Sequence, residues 1–95
     1  MNYLEKLARE IEEEVDPGLL PEGDTGLLFL IYAVLLQAKG GSVERKDVHD
    51  AWTAWMTAAG REHAALIPYA DLPADTQRQD QPYVDAIRAV ASRRK

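Results

Sequence analysis

A chain of 95 residues makes one domain, near the lower end of what buries a self-sufficient core, and without cysteine it has no disulfide framework and no thiolate metal site. A net charge of −5 argues against broad binding to nucleic acid or to anionic membranes, because counterion release needs clustered Lys and Arg. The charge is uneven: residues 1–50 carry 5 basic and 11 acidic side chains and residues 51–95 carry 6 and 5, so a small anion meets the less hostile field in the second half.

Met1-Asn2-Tyr3-Leu4-Glu5-Lys6 lacks the basic-then-apolar order of a signal peptide, and with the absence of cysteine this gives the cytoplasm as the expected location. Residues 3–15 carry Leu4, Leu7, Ala8, Ile11 and Val15 at helical spacing, which predicts a first helix ending near Asp16-Pro17-Gly18. Glu12-Glu13-Glu14 reads as a solvated face, since residues one or two apart on a helix do not converge on a metal. Turn residues bound the connection Pro17 to Gly23, and Leu19 and Leu20 are expected to tuck beneath it as a plug.

Leu27 to Leu36 is an unbroken run of apolar or amphipathic residues, too short for a bilayer, which needs about 20. With no polar face, it predicts a central helix covered on all sides, capped by Asp24 or Thr25 and stopped by Gly40-Gly41, with Lys39 complementing the dipole. Ser42 is the expected N-cap of a third helix, in which Val48, Ala51, Trp52, Trp55, Met56 and Ala59 form an amphipathic stripe ended by Gly60. Arg61 to Gln79 is irregular, with Pro68 forcing an extended approach and Pro73 opening a short helical turn. Asp80 is the expected cap of a last helix with Tyr83, Val84, Ile87, Val90 and Ala91 buried, and Ser92-Arg93-Arg94-Lys95 is its frayed, dipole-complementing end. The expected fold is all-α: a single domain over 1–95, a small orthogonal bundle of about four helices around a central apolar helix, with a Pro-containing loop before the last.

The sequence has no nucleophile elbow, no Gly-rich phosphate loop and no zinc pair at helical spacing. His49 and His63, its only histidines, lie on different elements, and neither Ser42 nor Ser92 sits in an activating setting. The reading is therefore not an enzyme, with no cofactor and no metal. The aromatics carry more information. Trp52 and Trp55 share one helical stripe, and Tyr69 and Tyr83 flank the following loop. Trp55 reads first as core, whereas a Trp lining a cleft with Arg and His donors nearby suits a stacked base and its phosphates.

Val48-His49-Asp50-Ala51-Trp52, then His63, then Leu66-Ile67-Pro68-Tyr69-Ala70-Asp71-Leu72-Pro73, and Asp80 before a final helix, resemble the ryanodine-receptor repeat domain over about residues 42–91. That module occurs in calcium-release channels and in small stand-alone bacterial and phage proteins. The resemblance implies ligand binding, with Trp52 as a stacking wall and His49 and Tyr69 beside it. Arg61, Arg78 and Arg88, chosen for charge and proximity in sequence, are candidate phosphate partners, and Trp55, His63 and Tyr83 complete the candidate set. The implied function is capture of a nucleotide-derived signal, of ADP-ribose or cyclic-nucleotide type, by a phage protein that sequesters a host defence messenger. The alternative is a structural module acting as a helical homo-oligomer without a ligand. Neither reading involves a membrane or a nucleic-acid polymer.

Overall fold

The computed structural model describes residues 1–94; Lys95, assigned above to the frayed end, lies outside the described residues. The described residues form five α-helices, α1 (Tyr3–Glu14), α2 (Gly26–Lys39), α3 (Arg45–Ala58), α4 (Ala74–Arg78) and α5 (Gln81–Arg93). Short 3-10 turns sit at Pro17–Leu19, Gly40–Ser42 and Tyr69–Asp71, and no strand occurs among the described residues. This is the all-α helical bundle that the hydrophobic periodicity predicts, with α4 as a single extra turn opened by Pro73.

Local chemistry explains the starts of α1, α2 and α3. Asn2 and Glu5 form a reciprocal capping box at α1, the Asn2 Oδ1 accepting from the Glu5 N–H at 2.9 Å and the Glu5 carboxylate from the Asn2 N–H at 3.1 Å. At α2 the Asp24 carboxylate accepts from the Gly26 N–H at 2.8 Å, while the Thr25 side chain caps nothing. Ser42 is not the cap of α3. Its hydroxyl donates back to the Lys39 carbonyl at 2.7 Å, and the helix begins after Glu44, whose N–H donates to the Asp47 carboxylate at 2.9 Å. The reason is Gly40, whose φ of +55° turns the chain into a 3-10 turn and delays the helix until Val43 has been driven into the core. Lys39 is used more specifically than the dipole requires: its ammonium pairs with Asp47 at 3.0 Å.

The core combines Leu7 and Ile11 of α1, Leu28, Phe29, Tyr32, Ala33 and Leu36 of α2, Val48, Ala51, Trp55 and Met56 of α3, and Val84, Ala86, Ile87 and Val90 of α5. The stripes predicted for α1, α3 and α5 face it, except that Ala59 is exposed and Leu4, Trp52, Tyr83 and Ala91 are only partly covered. α2 corrects its expectation. It is not covered on all sides, because Leu27 is 49% and Val34 52% exposed, with Leu30 and Ile31 half-buried between them. The neighbours of α2 are α1, α3, α5 and the Gly40–Ser42 turn, and these leave one side of an all-apolar cylinder open. The expected Leu19–Leu20 plug is half formed: Leu20 packs on the core and Leu19 is 49% exposed. An ion pair of 2.7 Å between Arg93 and Glu14 joins the last turns of α5 and α1.

Candidate functional site

A broad concavity opens on the surface. It has a volume of about 890 Å³ and lies between α3, α5, the Gly18–Pro21 segment and the loop running from His63 to Pro73. Such a volume is in the range that receives a small molecule. Trp52 and His49 on α3, Tyr83 and Asp80 at the start of α5, Tyr32 of α2 and His63 of the loop supply its aromatic and titratable lining.

His49 is the fixed point of this lining. It is the single buried polar residue among the described ones, 4% exposed, and its Nε2 lies 2.7 Å from the Ile67 carbonyl oxygen. A carbonyl only accepts, so Nε2 carries the hydrogen and donates it. This bond ties the long loop to α3. The His49 ring is offset-stacked on Trp52, with centroids 5.7 Å apart and planes inclined by 28°, while His63 stands perpendicular to the same indole at 5.3 Å. His63 is held in turn by its Nδ1, which accepts from the Ala65 N–H at 3.0 Å. Trp52 is thus half-buried at the cleft wall, with part of its surface already in contact with two imidazoles.

Asp80 corrects its expected role. The sequence places it as a helix cap, but its φ of −82° and ψ of −14° are helical, and its side chain makes no capping bond. An N-cap side chain reaches the first free amides only from an extended backbone, so continuity from α4 into α5 removes that option. The carboxyl instead lines the cleft, where burial pushes it up to about 6 against the opposing pull of His49 and Arg45. Its neighbours feel the same enclosure. Burial raises Tyr83, with a further push from Asp80, and raises Tyr32 strongly, with Tyr83 and Asp80 adding. The Tyr32 and Tyr83 rings lie 5.8 Å apart, and the Tyr83 hydroxyl donates to the Leu19 carbonyl, closing one rim.

Of the predicted site residues, His49, Trp52, His63 and Tyr83 line this cleft together. The others lie elsewhere. Trp55 is buried in the core, and Arg61 covers it, the guanidinium 5.3 Å from the indole centroid. Arg78 is exposed and paired with Asp75 one helical turn away. Tyr69 and Arg88 line a second, smaller pocket with Arg45 and Gln81. No Lys or Arg lines the large cleft, so the three arginines chosen by proximity in sequence do not supply it with phosphate contacts. The residues missed by sequence reasoning are Asp80, whose preceding Gln79 and following Gln81-Pro82 resemble an ordinary helix start, and Tyr32, hidden inside the apolar run of α2. Among the described residues no group of three or more His, Cys, Asp or Glu side chains is arranged to hold a metal ion, and no helix is long and apolar enough to cross a membrane.

Neither the curated proteins nor the solved structures contain a match to the chain. The sequence profile of one family, described as a domain of unknown function (DUF7701), matches residues 2–92. That match overturns the resemblance to the ryanodine-receptor repeat, which rested on short signatures over half the chain. The residues of those signatures have local duties in this fold: His49 anchors the Ile67 carbonyl, Leu72 is buried, and Pro68 and Pro73 each precede a short helical turn. A proline-containing loop docked on a helix calls for side chains of this kind whatever the family. With nearly its whole length matched, the chain belongs to the DUF7701 family.

Proposed function

We propose that this domain is a small-molecule binding module whose cleft receives a flat heteroaromatic guest bearing N–H donors. The observation that carries this reading is the composition of the cleft: about 890 Å³ walled by Trp52, Tyr83, His49 and His63, with one half-buried carboxylate, Asp80, and no Lys or Arg. An aromatic wall favours a planar guest, and a carboxylate held in a partly desolvated site favours a partner that donates hydrogen bonds or carries positive charge. Within the broader idea of a nucleotide-derived signal, the base end suits this lining. A phosphate in the same cleft would meet the Asp80 carboxylate, with no Lys or Arg in the lining to balance it.

The test is a titration of the purified domain with adenine, adenosine, ADP-ribose, cyclic dinucleotides and aromatic amidines, read by tryptophan fluorescence and calorimetry. The expected result is saturable binding by uncharged or cationic heterocycles, lost in Trp52→Ala and weakened in Asp80→Asn. No response across the panel overturns the reading.

A second reading, an interaction module that associates through α2, is favoured by the exposure of Leu27 and Val34, seven residues apart on one face, with Leu30 and Ile31 between them. Light scattering at micromolar concentration separates the two. A dimer dispersed by Val34→Glu supports association, and a monomer throughout removes it.

A further inference from the structure

On the other side of the His49–Tyr69 contact, where the two rings lie 6.3 Å apart, is a second pocket of about 260 Å³. Arg45 and Lys46 at the start of α3, Arg88 of α5, Tyr69, Gln81, Val84 and Glu44 bound it. We propose that Arg45 and Arg88, set on two helices and converging on this pocket, form a binding site for a small oxyanion of phosphate type.

The first support is how the two guanidiniums are held. The Arg45 Nε donates to the Gln81 Oε1 at 2.7 Å, and the Gln81 amide nitrogen donates onward to Asp85 at 2.8 Å, so the acceptor of Arg45 is itself oriented. The Arg88 Nε donates to the Val43 carbonyl at 3.0 Å. In each case the inner nitrogen is anchored and the outer fork is left for another partner. Among the described residues neither arginine forms an ion pair, whereas Lys39, Arg78 and Arg93 do. Guanidinium forks fixed in this manner match the geometry of a tetrahedral oxyanion, since little side-chain freedom is lost when it binds.

The second support is charge. Three cations and one carboxylate line the pocket, within a chain of net charge −5, while Asp85, bonded to Gln81, and Asp80, which feels Arg45, stand outside the lining. This local reversal of sign draws a small anion, while the acidic remainder repels an extended polyanion such as nucleic acid. The pocket volume admits a phosphate group with room for a small organic part, and Tyr69 in its lining offers a surface to that part of a monoester. The inference does not rest on the reading of the Trp52 cleft.

The experiment is calorimetric titration at low ionic strength with inorganic phosphate, phenyl phosphate and acetate, together with an amide chemical-shift map of the unaltered protein. Saturable binding of inorganic and phenyl phosphate, with shifts centred on Tyr69, Gln81 and Arg88 and weaker binding of acetate, supports the site. Arg45→Gln and Arg88→Gln are each expected to weaken phosphate by roughly tenfold, with Arg78→Gln unchanged. Because Arg88 also holds the Val43 carbonyl, each variant is first shown to be folded by circular dichroism, and the shift map stands without any variant. No saturable phosphate binding at millimolar concentration, or a map confined to Trp52 and Asp80, overturns the proposal; the second outcome leaves the cleft reading in place. Acetate binding as tightly as phosphate overturns the phosphate assignment.

Discussion

The His49 Nε2–H donates to the Ile67 carbonyl at 2.7 Å, and this one bond fastens the loop between α3 and α4 to the helix that carries Trp52. The loop has few backbone bonds of its own, among them Leu66 N–H to the His63 carbonyl at 3.1 Å. His49→Ala removes a buried donor and leaves both a void and an unsatisfied carbonyl. We expect a loss of about 2–4 kcal/mol in urea unfolding. Hydrogen exchange of the amides from Ala64 to Leu72 should accelerate more than that of the α1–α2 core.

Asp80 gives the domain a pH dependence opposite to that of a salt-bridged carboxylate. Its folded-state value is raised from 3.8 to about 6, so between these values the folded chain holds the proton more tightly than the unfolded chain. Its contribution to stability is therefore fully present below pH 3.8 and is lost as pH rises through about 6. Asp80→Asn is expected to raise the urea midpoint at pH 7.5 and to lose most of that advantage at pH 4. Because the carboxyl is only half-buried, solvent screening keeps the gain modest.

The two faces of α2 should respond very differently to truncation. Leu28 is fully buried, and Leu28→Ala is expected to cost about 2–5 kcal/mol. Val34 is 52% exposed, and Val34→Ala should stay within about 0.5 kcal/mol of the parent protein. Chemical denaturation of the two variants side by side checks both figures.

The two tryptophans also part company. Trp55 is sealed in the core beneath Arg61, so Trp55→Ala should cost about 3–5 kcal/mol and blue-shifted emission should vanish with it. Trp52 is half-buried at the cleft wall, so Trp52→Ala should destabilise less and remove the fluorescence response to a bound guest. Melting curves and emission spectra of the single variants separate these outcomes.

The helices were legible because core positions repeat at helical spacing: Val48, Ala51, Trp55 and Met56 alone identify α3 and its inner face. Boundaries were less so. Ser42 has a capping side chain, but Gly40 turns the backbone before the hydroxyl can serve a helix, and only the dihedral angles reveal this. The cleft was readable in part, since His49, Trp52, His63 and Tyr83 stand out as polar or aromatic residues near the irregular segment. Asp80 was not, because a carboxylate before a helix reads as a cap, and the cleft it lines is completed by the Gly18–Pro21 segment, remote in sequence. The arginines failed for the same reason. Nearness along the chain does not predict which side of α3 or α5 a guanidinium faces.

The Tyr83 hydroxyl bond to the Leu19 carbonyl spans 64 positions of the chain. The receptacle therefore closes only where the connection after the first helix meets the start of the last. Whatever occupies it must act as a stabiliser of the entire domain, by about 2.7 kcal/mol at a concentration 100-fold above its Kd. A heat-denaturation screen against unlabelled metabolites would consequently register any occupant, with no prior guess about its chemistry.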